Sequence, residues 1–509
     1  MRIERFLEAS MKADGGKTAI VAGDTRLSYA QFSDLCHRMA TSLREYGVKP
    51  GERVLLVLDN GWRCAVSLFA TWIAGAVVCP VNPSVKPERL SRIARSCTPS
   101  LVLAEGRLER LLSCVPELDE VPRILTGPPQ SAGGAGAFDV LFEGTPTPPP
   151  ATRSDSDLAA LLYTSGSTGE PKGVMLGHDN MAAAARSIVS YLENRASDVL
   201  LLVLPMSFGY GLNQLVTGIL AGATVVIEKS FTFPQAIFER IRDEKVTGFA
   251  LVPTMVALMR QARDLDPSLF YSLRYLTAAA APLPQAHRQW LRTFLPHARL
   301  YCMYGQTECT RAAYLPPAEI DRRQGSVGIA IPGTVTEVVD EAGHTLPAGA
   351  IGELTVSGPH VMRGYWGDRE ATQRTLRPAP GSGRLRLHTG DLFTADDDGY
   401  LTFVARMDDM IKTRGEKVAP QAVEEVLHRL PGVAEALVTG VPDEISGQAV
   451  KAIVVVSDPS LSARDIMRHC AQNLEDHMVP RIVEFRDTLP RTDSGKASRR
   501  LAAATGTNP

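Results

Sequence analysis

The chain has 509 residues, room for two to four domains at roughly 150 residues each. Its 54 Lys and Arg stand against 56 Asp and Glu, a formal charge of −2. That balance argues against a nucleic-acid backbone as the main partner, which would call for a basic surface, and leaves room for a local basic site. Apolar residues make up 44% and charged residues 22%, the composition of a globular protein and not of a disordered one. Of the basic residues, 11 are Lys and 43 are Arg, so each lysine in a motif-like setting draws separate attention.

The first 125 residues alternate helix and strand signals. Met1-Arg2-Ile3-Glu4-Arg5 mixes charge with apolar residues and lacks the core of a signal peptide. Ser28-Tyr29-Ala30-Gln31 reads as a capping box opening a helix to about Tyr46. Strands are expected near 53–58, 76–80 and 101–103, with helices near 61–74 and 87–97. The uncharged run 65–85 is long enough to span a bilayer. Gly75 interrupts it and Pro80, Asn82 and Pro83 close it, so it reads as a buried helix turning into a buried strand, with no membrane span expected. Residues 127–157, rich in Pro, Gly and Ala, read as a surface connection.

From 158 the alternation resumes. Helices are expected near 179–193, 234–244, 254–264 and 284–294, and strands near 158–163, 199–203, 223–227, 249–252 and 299–302. Such alternation predicts a mostly parallel sheet covered by helices. After Gly333 short strands with glycine turns (336–339, 352–357, 399–405) suggest a small β region. The last hundred residues predict a compact α+β unit, with a helix starting at Pro420, strands at 434–440 and 448–456, and a helix capped by Ser462. The boundary is expected at 405/406, giving an N-terminal body 1–405 of several subdomains and a C-terminal cap 406–509. The fold class expected is α/β followed by that small, mobile α+β unit. The eight cysteines form no C-x-x-C pair, which suits a reducing, cytoplasmic setting better than a disulfide framework.

The sharpest segment is Tyr163-Thr164-Ser165-Gly166-Ser167-Thr168-Gly169-Glu170-Pro171-Lys172-Gly173. Glycines let successive N–H groups turn inward as an anion nest, hydroxyls add donors, and Lys172 adds a mobile cation. It is not a P-loop of the G-x-x-x-x-G-K-[ST] type, because Pro171 precedes the lysine and Gly173 follows it. It also links strand to strand.

With this string the chain resembles the adenylate-forming superfamily: acyl-CoA synthetases, aryl-CoA ligases, adenylation domains and beetle luciferases. The later motifs agree in order and spacing over essentially the whole chain. The resemblance implies that a carboxylate is joined to AMP with release of pyrophosphate and then passed to a thiol. It implies that Thr164, Ser165, Gly166, Ser167, Thr168, Gly169 and Lys172 hold the ATP phosphates. Within Tyr304-Gly305-Gln306-Thr307-Glu308, it places Tyr304, Gly305 and Thr307 beside the nucleotide and Glu308, with Thr164, on Mg²⁺. A hard cation reduces the repulsion between a triphosphate and a carboxylate. Ala278, Ala279 and Ala280 match the segment packed against the adenine and the acyl group. Asp391, in Leu387-His388-Thr389-Gly390-Asp391, would accept from the ribose hydroxyls, for which a carboxylate's paired acceptors suit a diol. Arg406 would contact the ribose or a phosphate, Asp408 would be the hinge, and Asp409 reads as part of a solvated turn. Gly415 belongs to a loop serving the thiol step. Lys496, in the terminal Ser494-Gly495-Lys496, would stabilise charge during adenylation.

For the acid, Phe208 and Tyr210 lie where the superfamily builds its acyl pocket, and no Asp stands between Pro205 and Gln214 to hold an α-ammonium. An aryl or short-to-medium acyl acid is therefore expected. Coenzyme A is the expected acceptor, with a separate acyl- or peptidyl-carrier protein or another nucleophile as the alternative. A noncatalytic nucleotide-binding protein on the same fold is the alternative from another class.

Overall fold

The computed structural model describes residues 1–127, 136–150, 153–165, 170–262, 264–381, 383–413, 416–443, 446–491 and 497–504. Among these, three sheets organise the chain, with helices packed on them.

The seven-stranded sheet carries the phosphate-loop segment. Its parallel strands Arg53–Val57, Val77–Pro80, Leu101–Glu105 and Arg123–Thr126 are followed by the antiparallel hairpin Leu158–Ser165 and Pro171–Gly177. The uncharged run 65–85 forms the end of the helix Trp62–Ile73 and the strand Val77–Pro80, both buried. No helix among the described residues is long and apolar enough to cross a membrane. Ser28 caps the helix Tyr29–Glu45 with both halves of its capping box present. Within 127–157 the reading as a mere surface connection is corrected. A short helical turn, Phe138–Phe142, buries Phe138 and Leu141 against the core and so pins the connection to the body.

The fourteen-stranded sheet places most of the site. The parallel strands Val199–Leu202, Thr224–Ile227, Gly248–Leu251, Tyr275–Ala278 and Arg299–Tyr304 are joined by Thr18–Ala22 at one side. At the other side the sheet turns antiparallel through Ala313–Leu315 and Ser326–Ala330 to Leu401–Arg406, Leu385–Ala395, Gly352–Ser357 and Val335–Val339. Ala278 and Tyr304 are the carboxyl ends of neighbouring parallel strands, the edge at which open α/β sheets bind ligands.

A five-stranded sheet, built from Ile411–Thr413, Glu416–Val418, Val433–Asp443, Gly447–Val456 and Ile482–Phe485, forms the C-terminal unit with its own core around Val438, Val454, Leu427 and Ile466. The architecture is a large N-terminal α/β body followed by a smaller α+β unit.

Candidate functional site

Two groups of residues are linked through the segment 304–308 that leaves the strand Arg299–Tyr304. The first is centred on Asp391, which is 5% exposed. Its Oδ2 accepts from the Tyr304 hydroxyl at 2.6 Å and from Gln306 Nε2 at 2.8 Å. Asp391 and Arg406 are directly opposite on antiparallel strands, with Arg406 Nε 3.2 Å from Oδ1. That contact is an ion pair without hydrogen-bond geometry, so Oδ1 is buried with no hydrogen-bond partner. Burial pushes the Asp391 carboxyl above the usual carboxylate range, against the attraction of Arg406.

The local fold explains the aim of this carboxylate. Glu353 accepts from the Gly390 N–H at 3.0 Å and contacts His388 Nδ1 at 2.6 Å, holding the irregularity in the strand Leu385–Ala395 at which Gly390 takes a φ of +68°. The Thr389 hydroxyl donates to the Leu354 carbonyl and accepts from the Asp391 N–H. Gly305 is required by close approach: a Cβ there would lie 2.7 Å from the Thr310 carbonyl oxygen. Thr307 is half-buried in the same loop.

The second group is centred on Tyr365, a residue the sequence motifs did not single out. Its hydroxyl donates to Glu308 Oε1 at 2.8 Å, and Lys172 Nζ lies 5.1 Å from its ring centroid. Burial and then the adjoining Glu308 charge raise the Tyr365 hydroxyl pKa, so it stays a donor. Tyr365 arrives because its segment pairs with the phosphate-loop hairpin: Met175 N–H donates to Gly364 O, Trp366 N–H to Gly173 O, and Val174 bridges Tyr365. Glu308 is fixed from behind, its carbonyl accepting from the Met362 N–H at 2.7 Å. In the hairpin Thr164 faces Lys172 and Ser165 faces Pro171. A Cβ on Gly173 would crowd the Tyr163 ring at 3.1 Å. Gly166, Ser167, Thr168 and Gly169 lie outside the described residues, as do Gly415 and Lys496.

Ala278 and Ala279 are buried at the end of their strand, and Ala280 follows with a φ of +76°. That is a left-handed conformation which a side chain disfavours. Phe208 is the N-cap of the helix Gly209–Leu220 and is half-buried. Tyr210 lies in the first turn of that helix, its hydroxyl 2.8 Å from Thr277 Oγ1.

The C-terminal unit starts where the ladder ends. After Arg406 comes a helical turn, Met407–Asp409, in which Asp408 is exposed. The expectation for Asp409 is corrected: it is half-buried and pairs with Arg499 at 3.0 Å. Arg499 sits in the final helix Arg499–Ala504 and also pairs with Glu424 at 2.6 Å.

The described chain thus combines a buried carboxylate, a second carboxylate and a lysine in the N-terminal body with a separate small C-terminal unit. Residues 7–366 match the AMP-binding enzyme family and residues 422–496 match the AMP-binding enzyme C-terminal domain. The chain belongs to the AMP-binding enzyme family. It is 34% identical over 487 residues to a feruloyl-CoA synthase of Amycolatopsis sp, covering 94% of each chain. It is 32% identical to the indoleacetate–CoA ligase of Aromatoleum aromaticum, covering 98% of this chain and 97% of that one. Among solved structures it is similar to ATP-bound MatB from Rhodopseudomonas palustris, with a TM-score of 0.90, 28% identity and 99% of each chain covered. Its curated relatives of this kind are acyl-CoA and aryl-CoA ligases, and the chain is an enzyme of the adenylate-forming superfamily.

Proposed function

We propose that this enzyme joins an aryl or short-to-medium acyl acid to AMP and then transfers the acyl group to coenzyme A. The observation that carries this reading is the buried Asp391 Oδ1, without a hydrogen-bond partner at the strand ends beside Tyr304 and Arg406. A buried acceptor left open is costly unless a ligand donates to it, and a ribose hydroxyl is such a donor.

In this reading residues 164–169 hold the ATP phosphates, with Lys172 supplying a mobile cation. Ala278, Ala279 and Ala280 flank the adenine and the acyl group. The acid's carboxylate attacks the α-phosphorus and pyrophosphate leaves. The nucleophile is already anionic, so the protein contributes positioning and charge neutralisation. Lys496 stabilises the charge that develops at phosphorus. Among the described residues no cluster of three or more His, Cys, Asp or Glu forms a metal cage. A single carboxylate with a hydroxyl nonetheless fits Mg²⁺, which keeps its waters and takes phosphate oxygens. Glu308 and Thr164 would hold it, and it would offset the triphosphate charge.

For the second step the unit 406–509 turns about Asp408, withdrawing Lys496 and bringing in the loop at Gly415. A thiolate then attacks the acyl carbon and AMP leaves. The turn at Met407–Asp409, lying between two sheets, supports this hinge. Coenzyme A is favoured over a carrier protein because the relatives named above act as CoA ligases. A cytoplasmic setting suits such an acceptor. Acid-dependent ATP–pyrophosphate exchange tests the reading; conversion of ATP to ADP would oppose it.

A further inference from the structure

Beneath the strand ends lies a cavity of about 40 Å³ whose wall includes Arg311, Tyr191, Tyr210, Thr277, Asn213 and Gln214. Arg311 is 5% exposed. Its guanidinium sits 5.0 Å from the Tyr210 ring centroid and beside the Tyr191 hydroxyl, while its Nε has no hydrogen-bond partner. Among the described residues no carboxylate lies within ion-pair distance of it. A buried cation is ordinarily paired, because leaving water uncompensated is expensive. A ring face offsets only part of that cost.

Two further wall groups, Asn213 Oδ1 and Gln214 Oε1, are also buried without partners. Both are acceptors and call for a donor such as a water, so the guanidinium is the group of the three that a carboxylate can satisfy, and a hydrocarbon tail would leave it unpaired. The cavity also adjoins the strand ends. Thr277 precedes Ala278, and the cavity-lining Met303 precedes Tyr304, which donates to Asp391. An acid lying between the strand ends and this cavity would bring its far end to Arg311.

We infer that Arg311 is a specificity residue whose guanidinium pairs with a second carboxylate on the distal end of the substrate, so that the enzyme activates one end of a short dicarboxylic acid. This rests on the ligase reading above and narrows its substrate class. A guanidinium fork gives a carboxylate two parallel charge-assisted bonds, which a methyl end cannot accept. The cavity is small, so the distal group has room for only a few atoms.

Matched pairs of acids test this: glutarate against pentanoate, and isophthalate against benzoate. Each is assayed for pyrophosphate release and, separately, for calorimetric binding to the nucleotide-loaded protein. The wild type should favour the dicarboxylate of at least one pair by about tenfold or more in kcat/KM and in affinity. Arg311→Met should reverse that ratio, and Arg311→Lys, which keeps charge but loses the fork, should retain part of it. Equal loss toward both members of a pair in Arg311→Met would place Arg311 on the reacting carboxylate or in a purely structural role and overturn the inference. So would a wild type that favours the monocarboxylates or binds none of the four acids. Tighter dicarboxylate binding without pyrophosphate release would defeat the ligase reading and leave the subsite standing.

Discussion

The Tyr365 hydroxyl donates to Glu308 Oε1 at 2.8 Å, although the two residues are 57 positions apart. The same tyrosine's ring faces the Lys172 ammonium. One side chain thus spaces the lysine of the phosphate-loop hairpin from the carboxylate proposed for Mg²⁺.

Tyr365→Phe keeps the ring and removes the bond. A hydrogen bond to a charged group contributes about 1.5–3 kcal/mol, so activity should fall roughly tenfold or more, with a higher Mg²⁺ concentration needed for half-activation. Titrating Mg²⁺ against acid-dependent pyrophosphate release checks this. An unchanged Mg²⁺ curve would count against Glu308 as a metal ligand.

Asp391→Asn should raise the KM for ATP by a similar factor, because one acceptor of the proposed diol contact becomes a donor. The pH dependence has a defined sign. Burial raises the carboxyl's pKa, and only the ionised form accepts from both hydroxyls. Nucleotide affinity should therefore fall as pH drops, beginning above the ordinary aspartate value of about 3.9. The asparagine variant should lack that acid limb in a binding titration.

The left-handed Ala280, with its φ of +76°, predicts opposite responses to two substitutions. Ala280→Gly should be neutral or stabilising by up to about 1 kcal/mol, since relief of strain competes with glycine's greater unfolded-state freedom. Ala280→Val should cost about 2 kcal/mol or more, because a β-branched residue is a true outlier there. Thermal denaturation of both variants gives the comparison.

Arg499 joins Asp409 and Glu424 and also donates to the Val438 carbonyl. Arg499→Ala should loosen the C-terminal unit by about 2–3 kcal/mol, below the figure for a fully buried pair. Burial raises the Glu424 pKa and Arg499 opposes that shift. For an acid whose folded pKa is raised, the folding penalty is absent below the ordinary glutamate value of about 4.3. It is fully present above the folded pKa. The variant's deficit should thus grow as pH rises through that window, read as proteolytic susceptibility of the unit.

Local signals were legible where local physics decides. The helix Pro87–Cys97 and the strand Gly352–Ser357 have the bounds their periodicity implies, and Pro420 opens its helix. The strings around Lys172, Tyr304 and Asp391 stand out as candidate sites because each is contiguous. Tyr365 could not, since its position depends on pairing with Val174, far away in sequence. A glycine followed by two aromatics (Gly364-Tyr365-Trp366) was the one available sign. Arg311 was passed over for the same reason: only the packed structure reveals that it is buried and that Nε lacks a partner. The strand pair Thr18–Ala22 and Thr25–Ser28 was also missed, being short and dependent on its parallel neighbour Thr224–Ile227.

The most direct measurement is mass spectrometry of the reaction products formed from ATP, Mg²⁺ and an acid panel, with and without coenzyme A. The account predicts an acyl-AMP mass with pyrophosphate when coenzyme A is absent, and an acyl-CoA mass with AMP when it is present. ADP in place of AMP, or thioester formed with no adenylate detectable in any omission, would contradict it.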